Sequence, residues 1–503
     1  MMYRCSLALA VLLPCVSLAE PRFAPVEISE HIYAGGWEHF VGGGVAVFDC
    51  NDDGRPELFA AGGANVAQLF INTSADRVSF SEATPPTLTQ TGVTGAYPLD
   101  IDSDGVMDLA ILRVGPDMLM RGTGNCGFEP FEGIGFTSDD QWTTAFSATW
   151  EAGQSLPTLA FGTYVDRSDP EGPFEACDAS QLYRPTDRAY GAPTPLAPGY
   201  CALSILFSDW GRQGRADLRI SNDRHYYVRD GNEQLWSMEA KPRLYTAEEN
   251  WQSFSIWGMG IASRDLTGDG FPEVYLTSMG DQKLQRFDPA TGGPMWRDVT
   301  FGFGTTAHRP HVGGDGRPST GWHAQFGDIT NDGRDDIFVA KGNVDQMPGS
   351  AMDDPNSLLQ QNEDGTFEEV SHLAGVATLA RSRGAALADL NQDGLLDLVV
   401  VNRRAAMEVF QNTTKNSGNW LSIALGQEGP NRRAVGSFIE VRTGPTTQIR
   451  EVVIGGGHAS GQAVPEHFGL GEAEQAQVRV TWPGGAVSEW VEVAGNQALE
   501  LNR

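Results

Sequence analysis

Beyond its first twenty residues this chain has no apolar run approaching the ~20 residues that a bilayer-spanning helix needs, so no transmembrane segment is expected there. Basic residues are sparse as well. Only 35 lysines and arginines face 65 aspartates and glutamates, a formal charge of −30 at pH 7. Such a surface repels phosphate backbones, which excludes nucleic acid as a partner. The 6 cysteines include neither a CxxC pair nor a Cys/His spacing that would suggest zinc. Long amphipathic helical patterns are also missing, whereas 60 glycines and 28 prolines punctuate the chain. A strand-and-turn protein is the expectation.

The N-terminus, MMYRCSLALAVLLPCVSLAE, places an apolar stretch after Arg4 and ends with Ser17 and Ala19 spaced as in a secretory cleavage site. Residues 1–19 read as a signal peptide, which puts the protein in a secreted, periplasmic or extracellular setting. Cys50, Cys126, Cys177 and Cys201 would remain after cleavage, enough for two disulfides with three possible connectivities. The insertion bounded by Cys177 and Cys201 favours their pairing, and hence that of Cys50 with Cys126. Asn72 and Asn412 match the N-glycosylation sequon.

What the chain has in abundance is one acidic phrase. DLNQDGLLDLVV puts oxygen side chains at loop positions 1, 3, 5 and 9, as Asp389, Asn391, Asp393 and Asp397. Oxygens at alternate positions of a tight turn converge on one hard cation, and Gly394 supplies the bend. The apolar run that follows is β-branched, so the loop joins strands rather than helices. Four more copies recur. They supply Asp49, Asn51, Asp53 and Glu57; Asp100, Asp102, Asp104 and Asp108; Asp265, Thr267, Asp269 and Glu273; and Asp328, Thr330, Asp332 and Asp336. Calcium is the expected guest, about five ions with a structural role. Two degenerate copies start at Trp150 and Asp209; the first has Thr158 at position 9 and the second keeps only Asp209 and Asp217, so no calcium is expected there.

The seven copies begin 51, 50, 59, 56, 63 and 61 residues apart. Each offers a strand before the loop, one after it and a third such as AQLFINT or MEVFQNT, with a fourth in several units. Four short antiparallel strands per unit make a propeller blade, and neighbouring blades bury each other's faces. Ring closure predicts that the stretch near Phe23 to Ile32 completes the last blade. The fold class is all-β: a seven-bladed β-propeller over residues 20–417, followed by a small β-sandwich domain over 418–503.

These loops and strands resemble the FG-GAP/VCBS repeats of integrin-type propellers. The segments NRRAVGSFIEVRTG, REVVIGGGHASGQ and HFGLGEAEQAQVRVTWPGG are similar to the ASPIC/UnbV domain that follows such repeats in the cartilage acidic protein family and its bacterial relatives. The resemblance implies calcium loops in which position 7 donates its carbonyl; here those are Arg55, Val106, Phe271, Arg334 and Leu395. It carries no catalytic residues.

Function is expected on a propeller face or in the central channel. The leading expectation is a non-catalytic module that binds an extracellular or envelope glycan or protein at the propeller face. The alternative is an extracellular carbohydrate-active enzyme of lyase or dehydratase type. That reading would use groups such as Arg224, His225, Tyr226 and Tyr227 in a cleft walled by Trp142, Trp251, Trp257 and Trp322. His308, His311 and His323 offer a transition-metal reading. A structural surface component without a small ligand is a third class. His458 and His467 read as turn or surface histidines, and the GGG runs at Gly42 to Gly44 and Gly455 to Gly457 as turns or close strand packing.

Overall fold

In a computed structural model the described residues are 19–168, 176–223 and 231–503. The expected leader and the group Arg224, His225, Tyr226 and Tyr227 lie outside them. Each repeat unit forms an antiparallel sheet whose first strand lies nearest the ring axis. These inner strands are Val45–Phe48, Val93–Leu99, Gln141–Thr149, Ala202–Ser208, Gly258–Arg264, Gly321–Gly327 and Arg381–Ala388, in blades one to seven. Their side chains are almost all buried on both faces, because each blade is sandwiched between two neighbours. Blades two and three are also joined by a short pairing of Gln141 and Trp142 with Gly115 and Val114.

Blade seven takes its outer strand from the other end of the chain. Phe23–Val26 pairs antiparallel with Glu408–Asn412, so a segment about 390 residues distant in sequence locks the ring. Both disulfides form, Cys50 with Cys126 and Cys177 with Cys201. The first ties the loop of blade one to the outer hairpin of blade two; the second closes the blade-three insertion onto the start of blade four. Among the described residues no helix is long and apolar enough to cross a membrane.

After the ring, Asn419–Gly426 lies between Glu466–Gly471 and Gln497–Asn502 in one sheet. A second sheet orders Thr446–Glu451, Phe438–Thr443, Gln475–Thr481 and Val491–Ala494. Leu421, Ile423, Phe468, Ile439, Val478 and Trp482 pack between them as a separate small core.

A finger from this C-terminal domain fills the propeller axis. Gly456 N–H donates to Ile205 C=O at 2.8 Å and Gly457 N–H to Ile261 C=O at 2.7 Å. Ser147 Oγ donates to Ile454 C=O. His458 N–H donates to His323 Nδ1 at 3.0 Å, and Ser460 Oγ accepts from Val45 N–H at 3.1 Å. Gly461–Ala463 then runs parallel to Val45–Phe48 as an extra innermost strand. With Ala96 bridged to Ser460 and Gly384 against the Ser460 hydroxyl, the finger meets the inner strand of every blade. The approach is so close that only glycine fits: a Cβ on Gly44 would stand 1.8 Å from the Ala459 carbonyl oxygen, and one on Gly95 2.2 Å from it.

His458 is therefore completely buried, not a turn or surface histidine. Its Nε2 accepts from Gly42 N–H at 3.1 Å and its Nδ1 meets the Met259 carbonyl at 3.0 Å, so Nδ1 carries the proton. Burial drives its pKa down to about 3, and that of His323 to about 4. Gly44→Ala should expel the finger without unfolding the blades. Limited proteolysis is expected to cut within residues 453–463 in the variant and to spare them in the parent; equal protection would refute the steric account.

Candidate metal centres

All five acidic loops adopt one hydrogen-bonded form. The position-1 carboxylate accepts from the N–H of the position-6 glycine: Asp49 from Gly54, Asp100 from Gly105, Asp265 from Gly270, Asp328 from Gly333 and Asp389 from Gly394, at 2.7–3.0 Å. Those glycines have φ between +82° and +95°, a conformation L side chains rarely adopt. The position-5 carboxylates of Asp53, Asp104, Asp269, Asp332 and Asp393 accept from the N–H of position 7, that is Arg55, Val106, Phe271, Arg334 and Leu395. The position-9 carboxylates accept from the N–H of position 2, with Glu57 taking Cys50, Asp108 Ile101, Glu273 Leu266, Asp336 Ile329 and Asp397 Leu390.

The consequence is a ring of buried acids. Glu57, Asp108 and Asp397 are fully buried, and Glu273 and Asp336 nearly so. Burial pushes Asp108 and Glu273 up to about 8 and Glu57 up to about 7, and holds Asp336 and Asp397 well above the usual carboxylate range. Neighbouring loop carboxylates add to the shift in each case. Several ligand-position oxygens are buried with no hydrogen bond: Asp100 Oδ1, Thr330 Oγ1 and Asn391 Oδ1. In blade two, carboxylate oxygens of Asp100, Asp102 and Asp108 all lie within 4.8 Å of one another. An all-oxygen donor set with orphaned acceptors and mutually repelling acids fits a hard divalent cation. Arginines also touch these loops, Arg55 on Asp53, Arg121 on Asp102 and Asp104, and Arg334 on Asp332 at the more exposed acids, and Arg286 on both Asp269 and the buried Glu273, the latter at 3.5 Å.

The two degenerate loops meet the same demand with protein groups. In blade four Asp209 still accepts from Gly214 N–H, but Asp217 is paired with Arg215 at 3.2 Å and hydrogen-bonded by Trp210 Nε1 and Tyr245 O–H. In blade three Thr158 donates to Glu151, which is ion-paired with Arg184 at 2.7 Å.

Two further features were not legible as function. Asn72 and Asn412 are buried, so neither sequon lies on the surface. Asn72 Nδ2 donates to Pro56 C=O in its own loop and to Leu390 C=O in the loop of blade seven. Asn412 likewise joins Leu396 C=O to Ile329 C=O of blade six. The asparagine that ends the third strand thus staples consecutive loops, and a matching asparagine at that strand position was the signal available in the sequence.

The C-terminal domain sits on this loop face. Asn431 N–H donates to Ser103 Oγ and Arg432 to Asp104 C=O in blade two; Gly418 and Gly471 N–H donate to Thr330 and Asn331 C=O in blade six. Trp420 covers Gly394 in blade seven, and Glu451 accepts from Asp209 N–H and Ser208 Oγ in blade four. Buried Arg450 pairs with Asp335 at 3.0 Å, while His467, also buried, meets Asn331 Oδ1 at 2.7 Å. The expected aromatic cleft is absent: Trp142 and Trp322 are fully buried and Trp251 nearly so, because they fill the gaps between blades and cover the axis; Trp257 is half-buried. The three histidines find separate partners. His308 faces Asp281, His311 faces Glu369 and Ser371, and His323 faces the finger.

Two family profiles match the chain. FG-GAP-like repeat covers residues 49–111 and 328–400, and ASPIC and UnbV covers 427–503. The chain carries FG-GAP-like repeats and an ASPIC and UnbV domain. Cartilage acidic protein 1 of Mus musculus is 26% identical over 237 residues, 45% of this chain and 34% of that protein. The Homo sapiens protein is 26% identical over 255 residues, 48% of this chain and 36% of its own length. The match thus spans about a third of these relatives. Among solved structures, BBS1N in complex with ARL6DN shares 10% identity at a TM-score of 0.45, covering 78% of this chain and 97% of that one. SapL1 lectin in complex with alpha methyl fucoside shares 9% at 0.38, covering 67% and 96%.

Because burial raises the pKa of every position-9 acid, to about 7 for Glu57 and about 8 for Asp108 and Glu273, a cation entering the loops should displace protons. Calcium titrated into chelator-treated protein at pH 7 should release protons, so the calorimetric enthalpy should vary with the ionisation enthalpy of the buffer. Affinity should fall as pH drops from 8 to 6, since these raised pKa values favour the protonated acid over the liganded one. Buffer-independent enthalpies would contradict the geometry.

Proposed function

We propose that this chain is an exported, calcium-hardened binding module that holds a glycan or protein partner without transforming it. The observation that carries this reading is the use made of the propeller axis: the C-terminal finger packs it from blade to blade, so the position where a propeller could gather catalytic groups is spent on internal cohesion. Calcium in the five loops would be structural. Under this reading the bound ions neutralise the loop acids and fix the face on which the C-terminal domain rests. With a dissociation constant of about 10⁻⁴ to 10⁻⁵ M in about 1 mM calcium, each site would contribute roughly 1.5 to 3 kcal/mol.

The enzyme reading retains one specific support. Asp223 is buried, is driven up to about 7 by that burial and accepts from Tyr164 O–H. It directly precedes Arg224, His225 and Tyr226 in the sequence.

Removing calcium from residues 20–503 should lower the melting temperature by ~10 °C for a full complement of sites. Asp393→Asn should be destabilising by roughly 1.5 to 3 kcal/mol in calcium, yet neutral or stabilising in chelator, where it removes a repulsive charge. A variant equally destabilised in both conditions would count against a metal role. For the partner, polysaccharides should be screened in calcium for both binding and product. Binding without turnover supports the module; product formation that disappears in His225→Ala or Tyr226→Phe would transfer the assignment to the enzyme.

A further inference from the structure

The C-terminal domain does not seal against the propeller everywhere. Between them lies a cavity of about 710 Å³, floored by the finger and the inner strands of blades four to seven and roofed by the Asn419–Gly426 sheet. That volume falls in the range of small-ligand sites. Its mouth opens between the loops of blades one, two and seven, where Gly54, Gln392, Arg432, Arg433 and Asn496 are exposed.

The lining carries hydrogen-bonding capacity that the protein itself leaves unused. Trp150 Nε1 and Arg450 Nε are buried donors without a hydrogen bond, and Arg264 Nε, which also lacks one, is ion-paired with Asp335 at 3.6 Å. Arg450 is 3% exposed, and only its Nη2 is occupied, by Asp335 and Gln448. His467, 6% exposed, presents the complementary case. Asn331 Nδ2 donates to Gly394 C=O, which fixes its Oδ1 as the acceptor facing His467 Nε2. The His467 proton is then on Nε2, and its unpartnered Nδ1 is an acceptor. At the mouth Arg433 makes no ion pair or hydrogen bond within the described residues, and Arg432 spends one nitrogen on Asp104 C=O.

This space therefore holds unspent donors on Trp150, Arg450, Arg432 and Arg433, beside open acceptors at His467 Nδ1 and Asp100 Oδ1. The acids in the lining are partly committed: Asp49, Asp100 and Asp389 each have an oxygen taken by the N–H of their own loop glycine, and Glu466 stands 3.7 Å from Arg264 Nη1. The lining also offers the indoles of Trp150 and Trp420, one from blade three and one from the C-terminal domain. A molecule suited to this arrangement is rich in acceptor oxygens, carries negative charge for two guanidinium groups and has apolar faces that pack on indoles.

We propose that the cavity between the propeller and the C-terminal domain binds a short carboxylate-bearing oligosaccharide, with Arg432 and Arg433 holding a uronate group at its mouth. This rests on the reading of the chain as a binding module and supplies the ligand class. The site is composite: neither the ring nor the C-terminal domain completes it alone.

The test is calorimetry on residues 20–503 in calcium, with trigalacturonate as probe and maltotriose as its neutral counterpart. Trigalacturonate should bind at least tenfold more tightly than maltotriose. Arg432→Ala with Arg433→Ala should weaken it at least tenfold with the far-ultraviolet circular dichroism of the parent retained, and Arg432→Lys with Arg433→Lys should restore part of the loss, since charge returns without the planar fork. The proposal is overturned if trigalacturonate does not bind, binds no better than maltotriose, or binds the double alanine variant as tightly as the parent. Polysaccharide or protein binding that survives in the double variant would remove the cavity from the account while leaving the module itself standing.

Discussion

A buried carboxylate requires a counter-charge, and six of the seven blades bury one at the same place, five in a full acidic loop and the sixth, Asp217 of blade four, beside Arg215. The acid at position 9 stands at the start of each second strand, inside the packing between blades, where water cannot solvate it. Isolated ions in such surroundings cost several kcal/mol unless compensated. The loop that precedes the acid turns its other oxygens toward the same point, and its backbone N–H groups partly satisfy them. Everything built on this face inherits the requirement. The asparagine staples of blades one and seven hold loop to loop, and the C-terminal domain donates hydrogen bonds to loop carbonyls whose positions depend on the turn.

Blades three and four serve as internal controls for that requirement. They keep the strand register of their neighbours and, in blade four, even the contact between the first aspartate and the glycine of the turn. What changes is the arginine at the acid, Arg215 on Asp217 and Arg184 on Glu151. Where Arg215 and Arg184 pair with these acids, the acidic ligand set shrinks; in the five full loops the set holds three or four carboxylates, and among the described residues only Glu273 of the five position-9 acids has an arginine within 4 Å. This reciprocity is hard to explain if the acids served solubility alone, since exposed acids would be indifferent to an arginine at the blade interface.

The repeat period was enough to reveal seven blades, because each blade is a local unit with its own turn chemistry and needs only its neighbours to be stable. The loop residues were legible for the same reason. What the sequence could not reveal was long-range. His458 meets Gly42 across 416 positions and His323 across 135, and nothing near it in sequence distinguishes a plug from a surface turn. Asn72 and Asn412 matched a glycosylation pattern because the staple and the sequon share an asparagine followed two places later by a hydroxyl residue; only burial separates the two. The tryptophans expected to wall a cleft were misplaced by the same limitation, since an indole packed between blades and one lining an open groove look alike in a single chain.

The finger also constrains how specificity is built here. Its contacts run through backbone carbonyls and N–H groups on strands from different blades, so its seat exists only when all the inner strands stand at the correct radius. Gly44, Gly95 and Gly384 contribute by having no side chain, which makes the seat a property of ring geometry rather than of side-chain chemistry. Residues 453 and 464 both line the cavity above the seat, so the segment enters and leaves by the same face; it can dock on a closed ring without any chain passing through it. The axis is thereby committed to cohesion, and polar groups left unmatched by that commitment collect in the space around the finger's base. Those unmatched groups lie where two domains fail to meet, between the loop platform and the sheet that rests on it.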